Sequence, residues 1–117
     1  MSSGIFNAEI VKWQIRRSEK YNETLELSME IKSTEGSVIY AIPIKDINKF
    51  FDVIKINDIK ELQGSACIVL INNNHFCTVG NFLAAYKSDI QYSWMYSEKY
   101  KDLILKYYKE TGRHPDI

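Results

Sequence analysis

Residues Asn57–Asn81, NDIKELQGSACIVLINNNHFCTVGN, decide the fold. Asn57 or Asp58 can accept the free amides at the start of the turn DIKELQ, and Gly64 is the natural left-handed stop behind it. The following strand, residues 66–71, is apolar at consecutive positions from Cys67 to Ile71. A strand apolar on both faces belongs in the middle of a sheet. Asn72, Asn73 and Asn74 tolerate positive φ, so they predict a turn. Residues 75–79 then return as the partner strand.

The chain before this hairpin reads as a meander. In residues 7–17, Val11, Trp13 and Ile15 alternate with Lys12, Gln14 and Arg16, with residues 1–6 as a frayed start. Residues 24–32 alternate most regularly: Leu25, Leu27, Met29 and Ile31 face a core, while Glu26, Ser28, Glu30 and Lys32 face water. Gly36 turns the chain into a third strand, residues 37–42. Pro43 cannot donate to a ladder and suits a first helical turn. Ile44, Ile47, Phe50, Phe51 and Ile54 then recur at helical spacing, predicting an amphipathic helix over 43–55. Near the carboxyl end Ser97 can cap a helix over 97–111, with Tyr100, Leu103, Ile104 and Tyr107 as its apolar stripe. The stretch 81–96 has no decisive periodicity. The expected class is α+β, a single domain over residues 1–117. Five mainly antiparallel strands have one face covered by the first helix, and the carboxyl-terminal helix is added to them.

Composition narrows the function. Fifteen basic and fifteen acidic residues cancel, so the surplus that drives sequence-independent nucleic-acid binding is missing. The first ten residues have no basic region followed by an apolar run, and two cysteines read as free thiols. These features lead us to expect a cytoplasmic protein with no membrane association.

Three sets of residues carry candidate chemistry. In a hairpin turning on Asn73, Cys77 opposes Val69 and Cys67 opposes Val79. Both thiols then share one face, at a diagonal separation of roughly 7–8 Å that does not suit a disulfide. His75 lies beside Cys77, as a thiol catalyst would need, yet no third group orients the pair. Cys67, Cys77, His75 and His114 lack zinc-ligand spacing, and we expect no catalytic residue, metal or cofactor. Arg16, Arg17 and Lys20, with Tyr21 beside them, are the best phosphate-binding candidates. The third set is an aromatic cluster around Tyr92, Trp94, Tyr96, Tyr100 and Tyr108. A sheet already covered by the first helix cannot hide all of these rings, and tyrosine and tryptophan are enriched in interface hot spots.

The succession Phe50–Ile54, Asp58–Gly64, Cys67–Ile71 and Val79-Gly80-Asn81 resembles small phage- and prophage-encoded α+β proteins over residues 44–83. Their shared pattern is a helix, an acidic-leucine-glycine turn, a strand and a return strand ending in Ile/Val-Gly-Asn. The present chain has no tryptophan in the acidic turn and adds a tyrosine-rich helix. The resemblance implies a mobile-element accessory protein, a class that includes anti-CRISPR and other anti-defence inhibitors, and it carries no catalytic residue over. The expected function is non-enzymatic: a stoichiometric inhibitor that binds a host protein and occludes its surface, with a homodimer as a further expectation. The alternative is a nucleic-acid or nucleotide-binding domain using the hairpin Arg16–Lys20.

Overall fold

Strand β1 (Gly4–Arg17) is the axis of the structure, a computed structural model that describes residues 3–19, 24–82 and 90–111. Its first part pairs with β4 (Ala66–Asn72) from Gly4↔Ile71 to Glu9↔Ala66, and from Ala8↔Ser33 to Arg17↔Leu25 it pairs with β2 (Leu25–Ser33). With β3 (Gly36–Pro43) and β5 (His75–Asn81) the sheet runs β3-β2-β1-β4-β5, antiparallel throughout. The helices are α1 (Ile47–Ile54), α2 (Ile90–Ser93) and α3 (Ser97–Thr111). The α+β architecture and all five expected strands are present.

The expected frayed start is instead paired strand. Ile5 and Phe6 stand opposite Leu70 and Val69, and the backbone amide of Asn73 donates to Ser3 Oγ. This pairing joins residues far apart in the chain, so nothing local announces it. Val11 also departs from expectation. The β1–β2 register shifts between Ile10 and Lys12, so Val11 is the extra residue of a bulge, and Ile10 takes the fully buried place opposite Ile31.

Both faces of the sheet carry a core. On one, Leu27, Met29, Ile31, Cys67 and Val69 pack with Phe50, Val53 and Ile54 of α1. On the other, Ile5, Ile68 and Leu70 pack with Ile104, Tyr107 and Tyr108 of α3 and with Trp94. The β4 run of apolar residues is therefore explained as read: alternate residues serve opposite layers. The sheet also curls over its α1 side, because Tyr40 of β3 and Phe76 of β5, on opposite edge strands, bring their rings to 5.2 Å.

The expected alternation of β2 holds at its far end, where Lys32 is exposed and Glu30 half-buried, and fails at its first residues. Leu25, expected in the core, is 48% exposed, and the wet side is withdrawn beside it. Glu26 is 6% exposed and Ser28 is buried as well. A carboxylate withdrawn from water needs a partner, and Arg16, facing Glu26 in the ladder, donates through Nε at 2.9 Å.

Helix α1 is shorter than the expected 43–55. Residues Ile44–Asp46 form a 3-10 turn before it, and Lys55 ends it in the left-handed region at φ 64°. Asp46 occupies the cap position without making a side-chain cap. Its carboxylate instead accepts a hydrogen bond from the Tyr96 hydroxyl at 2.7 Å. The acidic turn matches its reading closely. Asp58 accepts from the Lys60 amide, and Glu61 accepts from the amides of Asn57 and Asp58. Gly64, at φ 88°, then passes its N–H to the Ile10 carbonyl.

The β4–β5 turn has two residues rather than one. Asn73 and Asn74 both have positive φ, 53° and 66°, as a primed hairpin turn requires. Asn72 thus pairs with His75 and Ile71 with Phe76, and Cys77 is left in a bulge before Thr78 pairs with Leu70.

Candidate interaction cleft

Between α1 and the start of α3 lies a cleft of about 1610 Å³, open to solvent. Tyr40 and Pro43 of β3 contribute to one wall, Lys45, Asp46 and Lys49 to the α1 side, and Tyr92, Tyr96, Lys99 and Tyr100 to the α3 side. The position follows from the topology. The curled sheet brings β3 towards β5 without joining them, and the segment after α2 rises from β5 to face α1.

Tyr96 is the best-anchored wall residue. Its backbone is left-handed at φ 53°, which is uncommon for a bulky side chain. Such a conformation persists where neighbours over-determine it. The Met95 amide donates to the Val79 carbonyl at 2.9 Å, and the Tyr96 hydroxyl is tied to Asp46. Lys49 Nζ stands 5.4 Å from the Tyr96 ring centroid, and Lys99 Nζ stands 5.4 Å from that of Tyr100. These are cation–π distances, so the cleft presents aromatic surface with lysines beside it, on a rim that also carries Asp46, Asp52 and Glu98. Tyr92 is 61% exposed and carries no such restraint among the described contacts.

Two residues of the expected aromatic surface lie inside the protein. Trp94 is 1% exposed and Tyr108 5%. The indole Nε1–H of Trp94 donates to the Tyr108 hydroxyl at 2.6 Å, and both pack on Ile68 and Leu70. The expectation assumed a sheet with one coverable face. The second face is available, and Trp94, just after α2, and Tyr108 of α3 cover it. Tyr107 does the same, its hydroxyl donating to Asn72 Oδ1 at 2.7 Å. Tyr92, Tyr96 and Tyr100 remain together at the cleft. The α1 residues facing them were missed because they read as the solvent side of an amphipathic helix.

The described part of the basic hairpin holds one arginine in an ion pair. Arg16 is engaged with Glu26, Arg17 ends β1 exposed, and Lys20 lies outside the described residues. The thiols are also separated. Cys67 is buried in the α1-side core, whereas the β5 bulge turns Cys77 to the α3 side, where its Sγ donates to the His75 carbonyl at 3.5 Å. Burial, helped by the charge of Glu9, pushes the Cys67 thiol up to about 12. Burial also raises Cys77, partly offset by a backbone hydrogen bond at Asn72 and the charge of Lys99. Neither is an activated nucleophile near neutral pH. Among the described residues, no three histidine, cysteine or acidic side chains converge as a metal site. No described helix is long and apolar enough to cross a membrane.

No protein-family model matches the chain. No curated protein and no solved structure matches it either.

Proposed function

We propose that the chain is a non-enzymatic binding protein, a phage- or prophage-encoded inhibitor that occludes the surface of a host defence protein. One observation carries the binding part: Tyr92, Tyr96 and Tyr100 converge on the cleft beside α1 while Trp94 and Tyr108 hold the wall from behind. Tyrosine offers a large amphipathic contact surface with few rotors to immobilise, which suits it to protein recognition. The rim carries both signs, Lys45, Lys49, Lys55 and Lys99 beside Asp46, Asp52 and Glu98, which suits a partner surface of mixed charge. The thiols support the non-enzymatic part, since burial keeps both protonated. The phage origin and defence target rest on the sequence resemblance alone.

The test is affinity capture from the natural host followed by titration of the purified partner. Tyr92→Ala combined with Tyr100→Ala should weaken binding at least about tenfold, as loss of hot-spot side chains does. Thermal unfolding is expected to change little. Equal affinity for the double variant would remove the cleft as the binding surface.

A further inference from the structure

The two edges of the sheet differ, and among the described residues the open one is β3. Its residues Gly36–Pro43, GSVIYAIP, contain no charged side chain, and the β2–β3 register runs from Ser33↔Gly36 to Glu26↔Pro43 without a bulge. Edge strands are ordinarily guarded by charge, bulges or a covering segment, because their unpaired amides and carbonyls invite another strand. Ile39, at the middle of this strand, is 58% exposed.

The direction of the free groups follows from the ladder. The two-residue turn closes on Ser33 and Gly36 as a hydrogen-bonded pair, and such pairs alternate along an antiparallel ladder. Val38, Tyr40 and Ile42 therefore bond to β2, whereas Ser37, Ile39 and Ala41 direct N–H and C=O away from it. Pro43 agrees with this phase. It has no N–H to give, and it falls at an outward position where none is needed by β2. Among the described residues, no backbone hydrogen bond reaches these outward groups.

We infer that β3 pairs with β3 of a second copy of this chain, antiparallel about a two-fold axis at Ile39, joining two five-stranded sheets into one. The outward set is symmetric about that residue. Ile39 faces its own copy, Ser37 faces the copy's Ala41, and Ala41 faces the copy's Ser37. Each of the three pairs exchanges two bonds, about six in all. The exposed Ile39 side chains meet across the axis, as an isologous contact requires. No like charges oppose, because the flanking Glu30 of β2 is already paired with Lys12 at 3.5 Å.

Sedimentation equilibrium on the whole chain over a micromolar to millimolar range tests the dimer. The wild type should be concentration-dependent, and Ile39→Lys should weaken association at least about 100-fold by placing two ammonium groups face to face. Circular dichroism and the unfolding midpoint of Ile39→Lys should stay near wild type, since the side chain is on the surface. Amide exchange gives a second readout that does not depend on a variant. Ser37, Ile39 and Ala41 should gain protection at high concentration while Val38 and Tyr40, already bonded to β2, change little. A wild type that is monomeric throughout overturns the inference. So does a dimer unaffected by Ile39→Lys, or protection gained elsewhere.

Discussion

Strands β5 and β3 are both edges, yet the described residues cover only one of them. At β5 a bulge displaces Cys77, Gly80 bridges to Trp94, the Met95 amide takes the Val79 carbonyl, and Thr78 Oγ1 donates to the Met95 carbonyl. The segment between α2 and α3 thus seals β5 before α3 crosses the sheet. At β3 the strand is regular, uncharged and open among the described residues. The difference teaches that one edge is sealed by the chain's own backbone and side chains, while the other is the edge to which we assign pairing with a second copy. The cleft lies between the two, walled by Tyr40 and Pro43 on the β3 side and by Tyr96 on the sealed side.

The largest effect in this comparison is expected at Gly80. An added Cβ would stand 2.6 Å from the Trp94 ring and 2.7 Å from the Ser93 carbonyl oxygen. Neither the fully buried indole nor the backbone can yield cheaply. Gly80→Ala should cost about 3 kcal/mol, the upper part of the range for overpacking, and should loosen the seal enough to lower the amide protection of Met95. Chemical denaturation and amide exchange check both. A loss under 1 kcal/mol would mean that the β5 seal contributes little.

Thr78→Val is next. It keeps the shape of a fully buried residue but strips the Met95 carbonyl of its side-chain donor. The expected loss is about 1–2 kcal/mol, the range for a buried acceptor left unsatisfied. Urea midpoints read it, and a neutral result would place the strength of the seal in Gly80 and Trp94 alone.

The thiols give a difference that is absent near neutral pH and appears only in alkali. Folding raises the Cys67 thiol from an ordinary 9.0 to about 12, so the folded state retains a proton that the unfolded chain releases. The resulting stability is complete below pH 9 and falls as pH rises towards 12, by about 1.4 kcal/mol per pH unit at most. Cys77 shifts in the same direction. Cys67→Ala should flatten the decline between pH 9 and 11 relative to wild type, whereas Cys77→Ala, on the less buried bulge, should flatten it less. Equal pH profiles for the three proteins would contradict the burial assigned to Cys67.

Local signals were legible wherever a residue type answers a local need. The core positions Leu27, Met29 and Ile31, the Asp58/Glu61 box, Gly64, the Asn73-Asn74 turn and the helix ending at Thr111 all follow from short-range geometry. Parts of the candidate site were legible too, since Tyr92, Tyr96 and Tyr100 stand at the cleft. Their partners on α1 were not. Asp46 and Lys49 read as solvated helix residues, and only the approach of a segment about fifty positions later gives them a role.

The sequence by itself determined which residues share a face and where elements stop, because strand and helix periods and turn chemistry act over a few residues. The tertiary structure decided what covers each face. It paired Gly4–Glu9 with β4, withdrew Glu26 from water beside Arg16, and placed Trp94 and Tyr108 on the second side of the sheet. Periodicity reports that a face is apolar, but the identity of its cover depends on contacts between distant segments. For the tyrosine-rich end of this chain, that difference separates the rings that build the core from those that line the cleft.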